Sequence, residues 1–113
     1  MNSFLLNSLN KNISIPIITF RYYQWRITNV LSPGNYVQSA QFVFQINGID
    51  QNMSGVTVTN PGGRNPTNER PQNLVDGNIF GTKWLDFNMA SNKYSFIIFD
   101  FGIGQTRQFN GYR

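Results

Sequence analysis

A chain of 113 residues that is 40% apolar and 15% aromatic but only 12% charged suits one globular domain and excludes a disordered polymer. Nine basic residues against five acidic ones give a net charge of +4, yet the Lys and Arg are scattered from Lys11 to Arg113, without the clustering expected of a nucleic-acid surface. Cysteine and histidine are both absent, which removes disulfides, thiolate metal sites, His-assisted nucleophiles and the usual zinc and iron ligands.

Residues 1–18 read as an N-terminal arm. Asn7, Asn10, Lys11 and Asn12 interrupt its apolar character, no signal-peptide pattern follows, and Pro16 biases Ile15 to an extended conformation. No run in the chain approaches the ~18 apolar residues of a membrane-spanning helix. Ile17 to Val30 is β-branched or aromatic at most positions and predicts a strand, with Tyr23, Trp25 and Ile27 on one face and Arg26 and Thr28 on the other. Ser32-Pro33-Gly34-Asn35 supplies a turn.

From Val37 to Asn47 the alternation predicts one half-buried strand, with Ala40, Phe42, Phe44 and Ile46 inward and Gln41 and Gln45 outward. Asn47-Gly48 ends it, and Val56 with Val58 marks a shorter strand. Asn60 to Pro71 is too rich in proline and glycine for helix or central strand and reads as a long surface loop. Tyr94 to Phe101 predicts a strand covered on both faces or nearly so, closed by Gly102-Ile103-Gly104, and Thr106 to Tyr112 begins one more. Short strands between turn signals, without a long amphipathic helix or a repeat, predict an all-β sandwich.

Between these elements lies the stretch the chain is organised around, Asn73 to Phe87. It is expected to be a folded loop pinned at both ends, with Leu74, Val75, Trp84, Leu85 and Phe87 able to face a core and Asp76-Gly77-Asn78 as its turn. The runs Arg21-Tyr22-Tyr23-Gln24-Trp25-Arg26-Ile27, Ser39-Ala40-Gln41-Phe42, Asn73 to Phe87 and Phe99-Asp100-Phe101-Gly102 resemble, in this order and spacing, the galactose-binding-like jelly roll of discoidin and coagulation-factor type C domains. The resemblance covers about residues 19–113, and its strongest part is the Asp-Gly-Asn turn followed by Thr82-Lys83-Trp84.

The resemblance implies an antiparallel two-sheet β-sandwich that binds sugars, lipid head groups or proteins through loops at one end and performs no chemistry. It also implies a structural calcium, held by the backbone carbonyl of Asn73, the side chain of Asp76, the carbonyl of Asn78 and an oxygen of Thr82. The family's last ligand, an acidic residue near its C-terminal strand, has no counterpart, since the segment Phe109 to Arg113 runs on in relatives into closing strands. The expectation is therefore a fragment of a longer polypeptide, or a sandwich completed by a partner chain through strand addition.

Two readings of the Asp76 turn stand side by side: a calcium loop, and a turn whose side chains bind backbone amides. Trp25 and Trp84 fit a core better than a sugar-stacking platform. Arg64, Asn65 and Arg70 are the candidate ligand contacts, because paired guanidinium donors suit carboxylates, phosphates or hydroxyls. Gly62-Gly63 lacks the Lys-Ser/Thr and helix of a phosphate cradle. Asp86 and Asp100 are expected to be ordinary surface or turn carboxylates and not the pair of a glycosidase. Asn12-Ile13-Ser14 and Asn52-Met53-Ser54 are formal glycosylation triplets. The functional expectation is a non-catalytic module binding carbohydrate or a protein surface, outside the cell or on a virion, as a homo-oligomer or part of a larger assembly. The alternative is a structural building block of a virion or fibre.

Overall fold

The structure, a computed structural model, describes residues 19–30 and 36–113. The expected arm and the turn at Ser32-Pro33-Gly34-Asn35 lie outside the described residues. Eight short strands are present among those described: β1 (Tyr22–Ile27), β2 (Val37–Ser39), β3 (Phe44–Ile46), β4 (Ile49–Asp50), β5 (Thr57–Thr59), β6 (Trp84–Asp86), β7 (Ser95–Asp100) and β8 (Gly111–Tyr112). A 3-10 helix (Pro71–Val75) precedes β6, and a four-residue helix α1 (Met89–Asn92) precedes β7.

All pairings are antiparallel. They make three sheets, ordered β1-β7-β5, β2-β6 and β4-β3-β8, and none closes on itself among the described residues. The fold is thus all-β with little helix, as the turn-punctuated sequence predicts.

Strand β7 is the hub. Its alternation buries Ser95, Ile97 and Phe99 and leaves Phe96, Ile98 and Asp100 half-buried, close to the expected coverage. On one side β1 turns Tyr23, Trp25 and Ile27 inward, and on the other β5 contributes Val58. This inner face meets aromatic rings from the other two sheets and from the crossing between them: Phe42 and Phe44 lie 4.6 and 5.1 Å from Phe99, and Trp84 lies 6.2 Å from Trp25. Trp84 has no exposed surface, and emptying such a site by truncation to alanine costs about 3–5 kcal/mol. Tyr23 joins Phe44, Phe101 and Phe109 at the far end of the cluster, and this burial pushes its phenol pKa up.

Four expectations need correction. The run Val37 to Asn47 is two strands in different sheets, β2 on β6 and β3 between β4 and β8. Alternation fails at Phe42-Val43-Phe44, which are consecutively buried as the chain crosses between sheets. There the Phe42 amide donates to Leu74 O and the Val43 amide to Arg113 O, and Ile46 ends up exposed. Phe87, expected to be able to face the core, is exposed and lies under the Arg64 guanidinium, 4.8 Å from ring centroid to Cζ. Asp86, expected to be an ordinary surface or turn carboxylate, does accept the Asn88 amide of the turn that follows but is 1% exposed. Thr106 to Tyr112 carries only an isolated bridge from Arg107 to Phe20 and the two residues of β8.

Candidate functional site

The central stretch is pinned as expected, and the pin is Asn73. Pro71 opens the 3-10 helix, which buries Leu74 and Asn73, and the Asn73 side-chain amide donates to Lys83 O at 2.8 Å and to Asn68 O at 2.9 Å. Lys83 and Asn73 thereby close the loop across its base. The remaining backbone of the turn is organised by side chains, as Asx-turn chemistry predicts. The Asn78 amide donates to Asp76 Oδ1 at 2.9 Å and the Gly81 amide to Asn78 Oδ1 at 2.9 Å. A Cβ at Gly81 would lie 2.6 Å from the Asn78 side-chain amide, which would have to turn aside and give up the Gly81 N-H.

Asp76, Asn78 and Thr82 come together. The Thr82 hydroxyl lies against Asp76 Oδ2 and 3.1 Å from Asn78 O. The Thr82 backbone amide donates to the same Asn78 carbonyl at 3.3 Å, which leaves the hydroxyl hydrogen for Asp76 and brings a hydroxyl, a carbonyl and a carboxylate oxygen together at this point. Oxygen donors crowded in this way fit a hard cation in kind, although a single carboxylate makes for weak binding. Asn73 sits at the root of the loop, its carbonyl taking the Asp76 amide at 3.5 Å. Among the described residues no group of three or more His, Cys, Asp or Glu lies together.

Beside this turn is a cleft of about 390 Å³ that sequence reasoning missed. Asp76 and Gly77 form one wall, the 50–54 turn another, and Gln41 and Arg113 reach it from chain positions far apart. Its apolar floor is Phe42, Val43, Met53 and Val75, and its polar rim is Gln41, Gln51, Asn52, Ser54 and Asp76. At one end Asp50 holds Arg113 in a two-pronged ion pair with Nε 3.1 Å from both carboxylate oxygens. Arg113 first, and then Gln45 through its side-chain amide at 2.9 Å, hold the Asp50 carboxyl below its usual pKa. Residues from four distant segments line this space, and no local spacing in the sequence could have announced it.

The three candidate ligand contacts are not equivalent. The Asn65 amide is spent inside the fold, donating to Asn60 Oδ1 at 2.9 Å and Leu85 O at 2.8 Å. Arg64 is exposed over Phe87, and its backbone N-H donates to buried Asp86 Oδ1 at 2.9 Å. Arg70 is exposed and supplies the extended residue before the 3-10 helix. The 60–71 loop is accordingly a knit structure: Asn60 donates to Phe96 O at 2.6 Å, and Gly63 leaves room for the Asn60 side chain, whose Oδ1 would lie 1.7 Å from a Cβ there. None of these three residues lines the cleft.

Asp86 accepts from the Arg64 amide, the Asn88 amide at 2.8 Å and the Ser95 hydroxyl at 2.6 Å, a structural role. Asp100 pairs with Arg21 at 2.7 and 3.0 Å, which with the Gly102 amide holds its carboxyl below the usual pKa. The glycosylation triplet at Asn52 falls on the cleft rim, where its side-chain oxygen accepts the Ser54 amide, and the other triplet lies outside the described residues.

No family model matches the chain, and comparison with curated proteins and with solved structures found no match either. Nothing in these comparisons identifies a galactose-binding-like domain. No helix among the described residues is long and apolar enough to cross a membrane.

Proposed function

We propose that the chain is a non-catalytic recognition module of the galactose-binding-like, jelly-roll type, and that its ligand is a hydroxyl-rich molecule of the carbohydrate class. The observation that carries this reading is the cleft beside Asp76, whose apolar floor is rimmed by side-chain amides and carboxylates. Neutral amides and carboxylates together offer the donors and acceptors that vicinal hydroxyls need, and an apolar floor suits the C-H face of a ring. Arg64 and Arg70 remain a second contact surface outside the cleft, whereas Asn65 holds its own loop together.

A bound calcium would be structural in this reading, with Asp76, the Asn78 carbonyl and Thr82 as its protein ligands and the Asn73 carbonyl at its root. It would neutralise crowded oxygens and stiffen the cleft wall that Asp76 and Gly77 form.

A glycan array probed with the full chain tests the reading, with Gln51→Ala and Asn52→Ala as cleft variants. Binding to a defined set of glycans that both substitutions weaken is the expected result. Silence across the array, or binding that only Arg64→Ala removes, would overturn the cleft as the site. The alternative of an assembly building block is favoured by the outer edge of β1, against which no other described strand pairs.

A further inference from the structure

The two outer edges of the β1-β7-β5 sheet are treated differently. In an antiparallel pair, alternate residues turn their backbone groups toward the partner and away from it. The Phe101 amide donates to the Arg21 carbonyl at 3.0 Å, and Tyr23, Trp25 and Ile27 continue that series opposite Phe99, Ile97 and Ser95. Tyr22, Gln24 and Arg26 consequently point their N-H and C=O groups outward. Phe20, of the same parity, exchanges both of its backbone bonds with Arg107 at 3.0 Å, and among the described residues backbone cover on this edge is confined to that bridge. Among the described residues no backbone group meets Tyr22, Gln24 or Arg26 on that side.

The opposite edge, on β5, is blunted. Gln72 Oε1 accepts the Val58 amide at 3.0 Å, and Gln72 Nε2 donates to the Val56 carbonyl at 2.7 Å. One side chain stands in for a neighbouring strand, so this sheet can grow in one direction only.

We propose that β1 of one copy pairs with β1 of a second copy, antiparallel and about a two-fold axis through Gln24. In that register Gln24 faces the partner's Gln24 and Tyr22 faces the partner's Arg26, and the outward groups of three residues on each copy can form six backbone hydrogen bonds. The chemistry of the strand is self-complementary. Arg26 is held on the outer face against Tyr94 and Phe96, with Cζ 5.4 and 5.3 Å from their centroids, and meets an aromatic ring across the seam. A parallel, in-register pairing would instead set Arg26 against Arg26. On the inner face the half-buried Tyr23 and Trp25 fall opposite one another, so pairing covers apolar surface that the single copy leaves partly open. Such an isologous contact closes on itself, and the Gln72-covered edge stops further addition, so the product is a dimer and not a fibre. The pairing holds whatever the cleft binds.

The chain has no cysteine of its own, which makes the register directly readable. Hydrogen-bonded antiparallel residues lie about 5.5 Å apart at Cα, within reach of a disulfide. In the full chain under mild oxidation, Gln24→Cys is expected to cross-link to covalent dimer, while Arg26→Cys, which faces position 22 of the other copy, is not. Sedimentation of the unmodified chain should show monomer and dimer only. Gln24→Pro keeps the β7 ladder, because the lost N-H points outward, and should raise the dimer dissociation constant by about 100-fold through loss of two central bonds. A chain that stays monomeric into the millimolar range overturns the proposal, as do equal cross-linking of both cysteine variants and a dimer that Gln24→Pro leaves intact.

Discussion

Gln72 donates its side-chain amide to the carbonyl of Val56 at 2.7 Å, while its oxygen takes the amide of Val58. A residue of the 3-10 helix thus finishes the edge of strand β5 and ties the central stretch to the sheet. Replacing it by an apolar residue of similar size, Gln72→Leu, leaves one buried donor and one acceptor without partners. Chemical denaturation should show a loss of about 1–3 kcal/mol. If the edge is also what limits assembly, the variant should give species larger than a dimer in sedimentation, and the unmodified chain should not.

Much of this fold was legible where one face of a strand is buried. The alternation in β1 and the paired Val56 and Val58 gave strand, face and core residues correctly, because period-two burial writes itself into a sequence, and the nearly continuous apolar run of β7 gave a strand whose two faces prove buried and half-buried in turn. Legibility failed where the chain passes between sheets. Phe42-Val43-Phe44 is buried continuously, and a two-residue period laid through it joins β2 to β3. The cleft was illegible for a related reason: its walls come from residues 41–43, 50–54, 75–77 and 113, which only tertiary structure brings together. Asp86 was misplaced because a carboxylate followed by Phe87 gives no sign of the Arg64 and Asn88 amides and the Ser95 hydroxyl that make its burial tolerable.

That arrangement makes Asp86 a sensitive position. The Asp86→Asn substitution keeps the shape but turns one acceptor into a donor, which must then face the Ser95 hydroxyl or two backbone amides. A loss of about 2–3 kcal/mol is expected in denaturant titration. Ser95→Ala, which removes one of three donors, should cost less. Equal stability of Asp86→Asn and the unmodified chain would show that the three donors find other acceptors.

The turn at Asp76 gives a prediction with a metal readout. Calcium added to the full chain should raise the midpoint of thermal unfolding, with binding in the 10⁻⁴ to 10⁻³ M range expected of weakly charged sites. Asp76→Ala should abolish that response and, by releasing the Asn78 amide and the Thr82 hydroxyl, lower stability by about 1 kcal/mol without calcium. Absence of any calcium effect on the unmodified chain, by calorimetry and by melting, would leave the loop as a hydrogen-bonded turn alone.

Stability should also fall in acid through two exposed or half-exposed ion pairs. The carboxyls of Asp100 and Asp50 are held below the ordinary value of 3.8, chiefly by hydrogen bonds from Arg21 and Arg113 respectively. A carboxyl whose pKa is lower folded than unfolded binds fewer protons in the native state, so its contribution is complete above the unfolded value and disappears as pH falls through the folded one. Denaturation midpoints should therefore be flat from neutral pH down to about 5 and decline below about 4. Because both pairs face solvent, part of the effect should vanish in high salt. In Arg21→Gln the decline should be shallower, since Asp100 then titrates nearer its ordinary value. An unchanged acid profile in that variant would place the pH sensitivity elsewhere.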